Sequence, residues 1–316
     1  MVRCRRIKAG GMSAGRARFG PMQTVDVDVT PDGTPPVRLR VRRWLPVGPS
    51  GAVPYMLVHG LSSNARLWDD VASTLAGAGH EVAAVDLRSH GESDAPPGGY
   101  DTTTAADDVA AACTALGFDR VVAVGQSWGG NVVVRLAARH PALVAGLGLV
   151  DGGWLDLRAA FPSWPACATA LRPPDVDGWR VDEIRRLIAR EHPDWSAGAI
   201  EATVANLREL PDGTVRRRLT IDNHMRIVRS MWDDPPWGDF PSITAPVLLL
   251  PAIDDARTDD KRAFVAKAAS MLAEATVREY VHGDHDLHAQ QPTAVATDLL
   301  TLAARSPGDG VGEKEV

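Results

Sequence analysis

Cysteine is scarce in this chain, and the few cysteines show no pairing pattern. Cys4, Cys113 and Cys167 make three, an odd number without a CxxC motif. This spacing indicates neither a disulfide framework nor a zinc site. It favours a reducing, cytoplasmic location.

Long apolar runs and a dominant charge are also missing. No segment has the length and hydrophobicity of a membrane span or a signal-peptide core. The 34 basic and 40 acidic residues give a formal net charge of −6, without a basic stripe that could bind nucleic acid or an anionic membrane. We therefore expect a small-molecule substrate as the partner, and neither nucleic acid nor membrane. The composition leaves the oligomeric state open.

The sequence does contain the alternation typical of an α/β fold. Hydrophobic residues make up 45% of the 316 residues, enough for a sizeable core. Polar and apolar residues alternate over 24–30 and 37–45, around the turn signal Asp32-Gly33, which predicts a β-hairpin. Short apolar runs then alternate with stretches of helical periodicity, which predicts a mostly parallel central sheet flanked by helices. The predicted strands are 55–58, 82–85, 121–124, 147–150, 247–250 and 276–281, and the predicted helices are 65–78, 103–116, 131–139, 261–272 and 292–304.

One long segment interrupts this alternation. Residues 152–240 have helical periodicity over 181–191, 197–209 and 215–231, separated by prolines, which predicts an inserted helical lid. The core would then consist of residues 23–151 and 241–305. Residues 1–22 are expected to be a disordered N-terminal extension, and the polar residues 306–316 a disordered tail.

The segment Gly125-Gln126-Ser127-Trp128-Gly129 matches the pattern GxSxG. It lies directly after a predicted strand and directly before a predicted helix, where a nucleophilic serine stands on a sharp turn. Glycine at both ends removes the Cβ atoms that would collide in such a turn. The segment predicts Ser127 as the nucleophile; the alternative is a glycine-rich turn without chemistry.

A second loop can face this serine. His59-Gly60-Leu61 follows the first core strand, and the backbone N–H groups of Leu61 and Trp128 would form an oxyanion hole for a tetrahedral intermediate. The imidazole of His59 is interpreted as a structural group that packs the turn.

A histidine-rich segment from His282 to His288 follows the last predicted strand. Its imidazoles and carboxylates could bind a metal, but the rest of the chain has no matching group of ligands. Alternatively, the segment carries a general base, in the chain order serine, acid, histidine. The second interpretation requires no metal.

Together these motifs resemble the α/β-hydrolase fold superfamily, in its branch of lidded serine esterases, lactonases and C–C hydrolases. The segments that carry the resemblance are His59-Gly60-Leu61, the run from Asp86 to Asp94, the run from Gly125 to Gly130, and Gly283-Asp284-His285 followed by Pro292. The resemblance extends over about residues 24–304. The spacing to Pro292 implies His285 as the base, and Arg88 and His90 are implied to stabilise the fold.

The acid of the triad has three candidates. Asp151 ends the predicted strand before the lid, while Asp254 and Asp255 follow the strand 247–250. In similar sequences a Gly-x-x-Asp segment at this second point supplies the acid, which implies Asp255 even though Ala252 replaces the glycine. Asp254 and Asp151 remain the alternatives.

The resemblance implies a serine hydrolase that forms an acyl-enzyme and requires neither cofactor nor metal. Six tryptophans in the predicted lid favour a carboxylic ester or lactone with an apolar or aromatic part. C–C hydrolases, perhydrolases and acyltransferases with the same triad are alternatives, as is a non-hydrolytic receptor on this fold. Two lid residues that could contact a carboxylate, His224 and Arg226, are expected to be solvated. The tryptophans are Trp154, Trp164, Trp179, Trp195, Trp232 and Trp237.

Overall fold

A central β-sheet organises the chain, whose computed structural model describes residues 4–6, 22–30, 36–46, 52–253 and 258–305. The strands within these ranges are β1 (Cys4–Arg6), β2 (Met22–Val29), β3 (Val37–Trp44), β4 (Tyr55–Val58), β5 (Val82–Val85), β6 (Val121–Gln126), β7 (Val144–Val150), β8 (Leu207–Glu209), β9 (Val215–Arg217), β10 (Val247–Leu250), β11 (Ala252–Ile253), β12 (Ala275–Val277) and β13 (Tyr280–Val281).

Helices flank this sheet. The α-helices of the described ranges are α1 (Asp69–Gly77), α2 (Thr102–Leu116), α3 (Trp128–Arg139), α4 (Leu157–Ala160), α5 (Trp164–Ala170), α6 (Val181–Glu191), α7 (Ala197–Val204), α8 (Ile221–Asp233), α9 (Thr258–Met271), α10 (Leu287–Gln290) and α11 (Pro292–Ala303). Short 3₁₀ segments cover Ala65–Trp68, Pro236–Gly238 and Phe240–Ser242. No helix in the described part of the chain is long and apolar enough to cross a membrane.

The order of the strands confirms the predicted fold class. The sheet runs β1-β2-β3-β5-β4-β6-β7-β10-β12; the pairs from β5 to β12 are parallel, and β1, β2 and β3 add an antiparallel edge. Because the carboxyl ends of parallel strands meet at one edge, the loops after β4, β6, β7 and β10 come together.

The core lies on both faces of this sheet. In β4, Met56 and Val58 pack into one apolar cluster, whereas Tyr55 and Leu57 pack into the other. Successive side chains of a strand point to opposite faces, so a strand covered by helices on both sides is apolar throughout. This accounts for the continuous apolar runs in the sequence.

The structure differs from the sequence expectations in two places, at the N-terminal edge of the sheet and in the last predicted strand. Cys4–Arg6, within the segment expected to be disordered, pairs antiparallel with β2 and so covers part of an otherwise unpaired sheet edge. The strand expected over 276–281 is divided into β12 and β13, and β13 pairs with β11 in a small separate sheet. The tail 306–316 lies outside the described residues.

The segment 152–240, named here the inserted segment, contains α4 to α8 and a β-hairpin. The helices predicted over 197–209 and 215–231 are therefore wrong in part, because β8 and β9 pair antiparallel there. The cause is the turn Asp212-Gly213, where Gly213 has a φ of 77° and the Leu210 N–H donates to the Thr214 carbonyl at 2.8 Å.

Candidate active site

Ser127 stands on the turn between β6 and α3. Its backbone has φ 52° and ψ −124°, a strained conformation for a residue with a side chain. A Cβ atom on Gly125 would lie 2.1 Å from the Gly129 carbonyl oxygen, and one on Gly129 would lie 2.4 Å from the His59 carbonyl oxygen. Both glycines of the GxSxG segment are therefore required by close backbone contacts.

His285 lies in the loop between β13 and α10, next to the serine turn. Its Nδ1 is 2.6 Å from Oδ2 of Asp151, and its carbonyl oxygen accepts a hydrogen bond of 3.1 Å from Nε2 of Gln126. Gln126 directly precedes Ser127, so this bond holds the histidine loop against the serine turn. The structure thus brings Ser127 and His285 to the same edge of the sheet.

The electrostatic surroundings of His285 suit a general base. The side chain is 52% exposed, yet enough protein surrounds the ring that desolvation opposes its protonation. The hydrogen bond and the charge of Asp151, together with the charge of Asp286, outweigh this desolvation and raise the pKa of His285 above its ordinary value of 6.5. The imidazole is therefore a stronger base than a free one.

Asp151 directly follows β7, and its side chain is only 3% exposed. Its φ of 40° is again strained for a residue that is not glycine. Its Oδ1 accepts from the Ala252 N–H at 3.0 Å, which leaves Oδ2 facing His285. A Cβ atom on the following Gly152 would lie 2.1 Å from the Ser127 carbonyl oxygen, so the loop after β7 passes directly against the serine turn.

Among the described residues, Asp151 is the acid whose carboxylate is within hydrogen-bond distance of His285. Asp255 and Asp254 both lie outside the described residues, so no contact of either is known and the preference for Asp255 stays a prediction. Asp151 was one of the alternatives in the sequence. Asp151 follows β7, which pairs with β10, and β11, just after β10, pairs with β13, which leads into the His285 loop.

Lys261 is a residue of this site that the sequence analysis missed. It lies in the first turn of α9, and its Nζ is 3.0 Å and 3.1 Å from the two carboxylate oxygens of Asp151. The same ammonium donates to the Ala252 carbonyl oxygen at 2.7 Å. The two residues are 110 positions apart, and no motif marks their contact in the sequence.

The loop that contains the predicted oxyanion donors lies next to the serine. A Cβ atom on Gly60 would lie 2.9 Å from Cβ of Ser127, so the backbone that leads to Leu61 runs past the nucleophile. Trp128 is the first residue of α3, and the first N–H groups of a helix have no partner within the helix. Both predicted donors therefore border Ser127.

Two buried histidines stabilise the loop that contains Leu61 through hydrogen bonds to the backbone. His59 has Nδ1 2.7 Å from the Gly60 carbonyl oxygen and accepts from the Leu87 N–H through Nε2 at 3.0 Å. His90 accepts from the Ser62 N–H at 3.3 Å. Burial lowers the pKa of His59 to about 4 and that of His90 well below its ordinary value. Both therefore act as neutral packing groups, as the sequence analysis expects.

Arg88 and His224 show two different outcomes. The buried Arg88 guanidinium forms a two-pronged ion pair with Asp108 at 2.6 and 2.7 Å, which confirms its structural role. The expectation that His224 is solvated is wrong: it is 6% exposed, with Nδ1 2.8 Å from Oγ of Ser62 and Nε2 2.9 Å from the Leu171 carbonyl oxygen. The inserted segment thus contacts the loop after Leu61. Arg226 is exposed.

The histidine-rich segment does not form a metal cluster in the described ranges, where no group of three or more histidine, cysteine or acidic residues could hold an ion. His288 is fully buried and packs against Trp68, with ring centroids 4.2 Å apart and the ring planes inclined by 39°. Neither of its ring nitrogens has a hydrogen-bond partner among the described residues, and burial lowers the pKa of His288 to about 3. It is a core residue, unlike His285.

The tryptophans of the inserted segment mostly pack against protein. Trp154 and Trp195 are buried, and Trp164, Trp232 and Trp237 are partly buried against apolar neighbours. Trp179 is 46% exposed. The expectation of an apolar or aromatic substrate stays a prediction.

Comparisons with known proteins identify the family of this chain. The family model of the α/β hydrolase family matches residues 56–299. A non-heme chloroperoxidase from Streptomyces lividans is 28% identical over 287 residues, which are 86% of this chain and 97% of that protein. A 2-(acetamidomethylene)succinate hydrolase from Mesorhizobium japonicum is 28% identical over 212 residues, which are 66% of this chain and 74% of that protein.

A solved structure of an E-2-(acetamidomethylene)succinate hydrolase has the same fold, with a TM-score of 0.69 at 22% identity, over 85% of this chain and 96% of that one. The family model extends over far more than half of this chain, from β4 to α11. The chain therefore belongs to the α/β-hydrolase family of enzymes.

Proposed function

We propose that this enzyme hydrolyses a carboxylic ester or lactone through an acyl-enzyme, with Ser127 as nucleophile, His285 as general base and Asp151 as acid. The observation that carries the proposal is the 2.6 Å contact between His285 and Asp151, at the sheet edge where Ser127 stands. A base oriented by an acid, beside a serine on a strained turn, is the arrangement that activates a hydroxyl for attack.

In the first step Oγ of Ser127 attacks the acyl carbonyl, and His285 takes the hydroxyl proton. The oxyanion accepts hydrogen bonds from the N–H groups of Leu61 and Trp128. His285 then gives the proton to the leaving alkoxide, and a water that it deprotonates cleaves the acyl-enzyme. Asp151 fixes the imidazole tautomer with Nδ1 protonated and stabilises the imidazolium.

The substrate is proposed to have an apolar or aromatic part, and the inserted segment to act as a lid over the serine. The contact between His224 and Ser62 supports this role, because it joins the inserted segment to the loop next to the oxyanion donors. Trp128 and Trp154 belong to one apolar cluster, against which Leu61 packs. A cytoplasmic location is part of the same proposal.

Turnover of p-nitrophenyl esters by the Ser127→Ala variant tests the proposal. We expect at least about a 10³-fold loss, because the attacking atom is removed while the fold and the oxyanion donors remain. Ser270→Ala, at an exposed serine of α9, is the matched control and should keep full turnover. Full activity of Ser127→Ala would contradict the proposal.

Perhydrolysis is a second candidate function, favoured by the similarity to a non-heme chloroperoxidase over 97% of that protein. In this reaction hydrogen peroxide replaces water as the group that cleaves the acyl-enzyme, and a peroxy acid leaves Ser127. Incubation with acetate and peroxide, followed by iodide oxidation, measures the peroxy acid. A signal that depends on Ser127 would support this function, and its absence would exclude it.

A further inference from the structure

The carboxylate of Asp151 has one more charged partner than its role toward His285 requires. Lys261 lies within 3.1 Å of both carboxylate oxygens, and the lysine side chain is only 26% exposed. Ala252 binds the same two groups, since its N–H donates to Asp151 and its carbonyl oxygen accepts from Lys261. The Asp151 carboxylate, the Lys261 ammonium and the backbone N–H and carbonyl of Ala252 thus form one hydrogen-bonded network next to His285.

This network differs from an ordinary surface ion pair. An exposed pair has a small effect because solvent screens it and both side chains move freely. Here the carboxylate is 3% exposed, and the ammonium is held at two further points by Ala252 and the second oxygen. A charge fixed in this way is screened less than that of a mobile surface side chain.

We propose that Lys261 is a positioning residue of the triad: it holds the Asp151 carboxylate in the orientation that His285 needs, and its positive charge offsets part of the pull of that carboxylate on the imidazolium. This inference rests on the proposed function, in which Asp151 is the acid. It assigns to α9 a role in catalysis that neither the GxSxG segment nor the histidine loop contains.

The surroundings of His285 define how strongly Lys261 can act. Among the described residues, the charged groups that act on the imidazole are the carboxylates of Asp151 and Asp286, which favour its protonation, and the ammonium of Lys261, which opposes it. Asp284, on the same loop, is paired with His192 of the inserted segment at 2.7 Å. Lys261 is therefore the positive group that limits the rise in the pKa of His285 caused by the two carboxylates.

The pH dependence of kcat/KM in Lys261 variants tests the inference. Lys261→Met removes the charge, and we expect the acid limb to move to higher pH by roughly 0.5 to 1 unit, because a positive charge near the imidazolium is lost. Lys261→Gln keeps a donor for Ala252 and should show the same shift with a smaller loss of turnover. Lys261→Arg keeps the charge and should leave the limb near that of the wild type.

A second readout does not depend on turnover. The titration of His285, followed by NMR in a Ser127→Ala background, should shift in the same direction when Lys261 is replaced by methionine. Lys267→Met, the same change on the same helix, is the matched control and should shift neither the NMR titration nor the kinetic limb. If Lys261→Met does not fold, Lys261→Gln decides the question.

The inference would be overturned if Lys261→Gln left both the acid limb of the kcat/KM profile and the NMR titration of His285 unchanged. The proposed function fails separately, if Asp151→Asn keeps wild-type turnover. A collapse of turnover in Asp151→Asn with no effect of either uncharged Lys261 variant would therefore leave the triad standing and remove only the role of Lys261.

Discussion

At the scale of single residues, two members of the proposed triad have a strained backbone. Ser127 and Asp151 both have positive φ angles, 52° and 40°, and they end neighbouring parallel strands. Such conformations cost free energy and persist where the surrounding structure enforces them, often at functional sites. Here close contacts with Gly60 and Gly152 enforce the serine turn.

Replacement of each candidate acid by asparagine identifies the third member of the triad. We expect Asp151→Asn to lower turnover by up to about 10⁴-fold with an intact fold, because the imidazole would lose the partner that fixes its tautomer. Asp254→Asn and Asp255→Asn are the matched controls and should stay near wild type. Ester turnover beside a circular dichroism melt measures all three; a collapse confined to Asp255→Asn would restore the acid that the resemblance implies.

The pH dependence of the wild-type enzyme follows from the same contact. His285 must be neutral to accept a proton, and Asp151 raises its pKa above 6.5. Activity should therefore be full above this raised pKa and fall as the pH decreases through it. A kcat/KM profile should place the acid limb above pH 6.5; a limb well below 6.5 would mean that the carboxylate does not interact with the base.

The sequence predicts some of these residues and not others, for a physical reason. Ser127 and His285 are marked by local patterns, a glycine-flanked turn and a loop after the last strand. The identity of the acid depends on whether the residue after β7 or one after β10 reaches the imidazole. Both strands end at the same edge of the sheet, so the sequence alone leaves the choice open. The two glycines after Asp151 are a local signal of close packing, because a Cβ atom on Gly152 would collide with the backbone of Ser127.

At the scale of elements, the loop after β7 packs closely against the backbone of the serine turn. Gly152→Ala should lower the free energy of unfolding by about 1–3 kcal/mol and reduce turnover, because its Cβ atom would lie 2.1 Å from the Ser127 carbonyl oxygen. Gly98→Ala is the control, since a Cβ atom there meets nothing within 4 Å. Denaturant unfolding compares the two, and equal stabilities would show that the contact can relax.

The elements themselves were predictable where one physical signal dominated. The buried strands β4, β5 and β10 coincide with the predicted ranges, because both faces are apolar and glycine or proline lies near their ends. The hairpin of β8 and β9 was not predicted, because its short strands contain arginines that also occur in helices. Its turn residues Asp212-Gly213 were the stronger local signal.

At the scale of the whole molecule, buried neutral histidines couple stability to pH. Burial lowers the pKa of His288 to about 3 and that of His59 to about 4, both below the ordinary value of 6.5. Below pH 6.5 these two histidines bind protons in the unfolded chain but stay neutral in the folded chain. Each histidine therefore reduces stability as the pH falls from 6.5 toward its own folded pKa, by at most about 1.4 kcal/mol per pH unit.

His288→Phe should make the protein less sensitive to acid. The ring nitrogens of His288 have no partners, so a phenyl ring on Trp68 loses no hydrogen bond and removes a group that protonates on unfolding. We expect unchanged or higher stability at pH 7 and a smaller loss between pH 6.5 and 4, measured by urea unfolding at each pH. His59→Phe, which loses the contact with Leu87, should instead destabilise the protein at pH 7. An equal acid loss in His288→Phe and wild type would contradict this account of His288.

In the proposed mechanism this fold presents one activated serine. Reaction with a fluorophosphonate, followed by mass spectrometry of the intact protein and of its peptides, detects such a serine, because only a serine with a working base reacts at a useful rate. We expect one covalent adduct, located on Ser127 and absent from Ser127→Ala. A folded wild-type protein that gains no adduct, or gains it on another residue, would contradict the proposed mechanism.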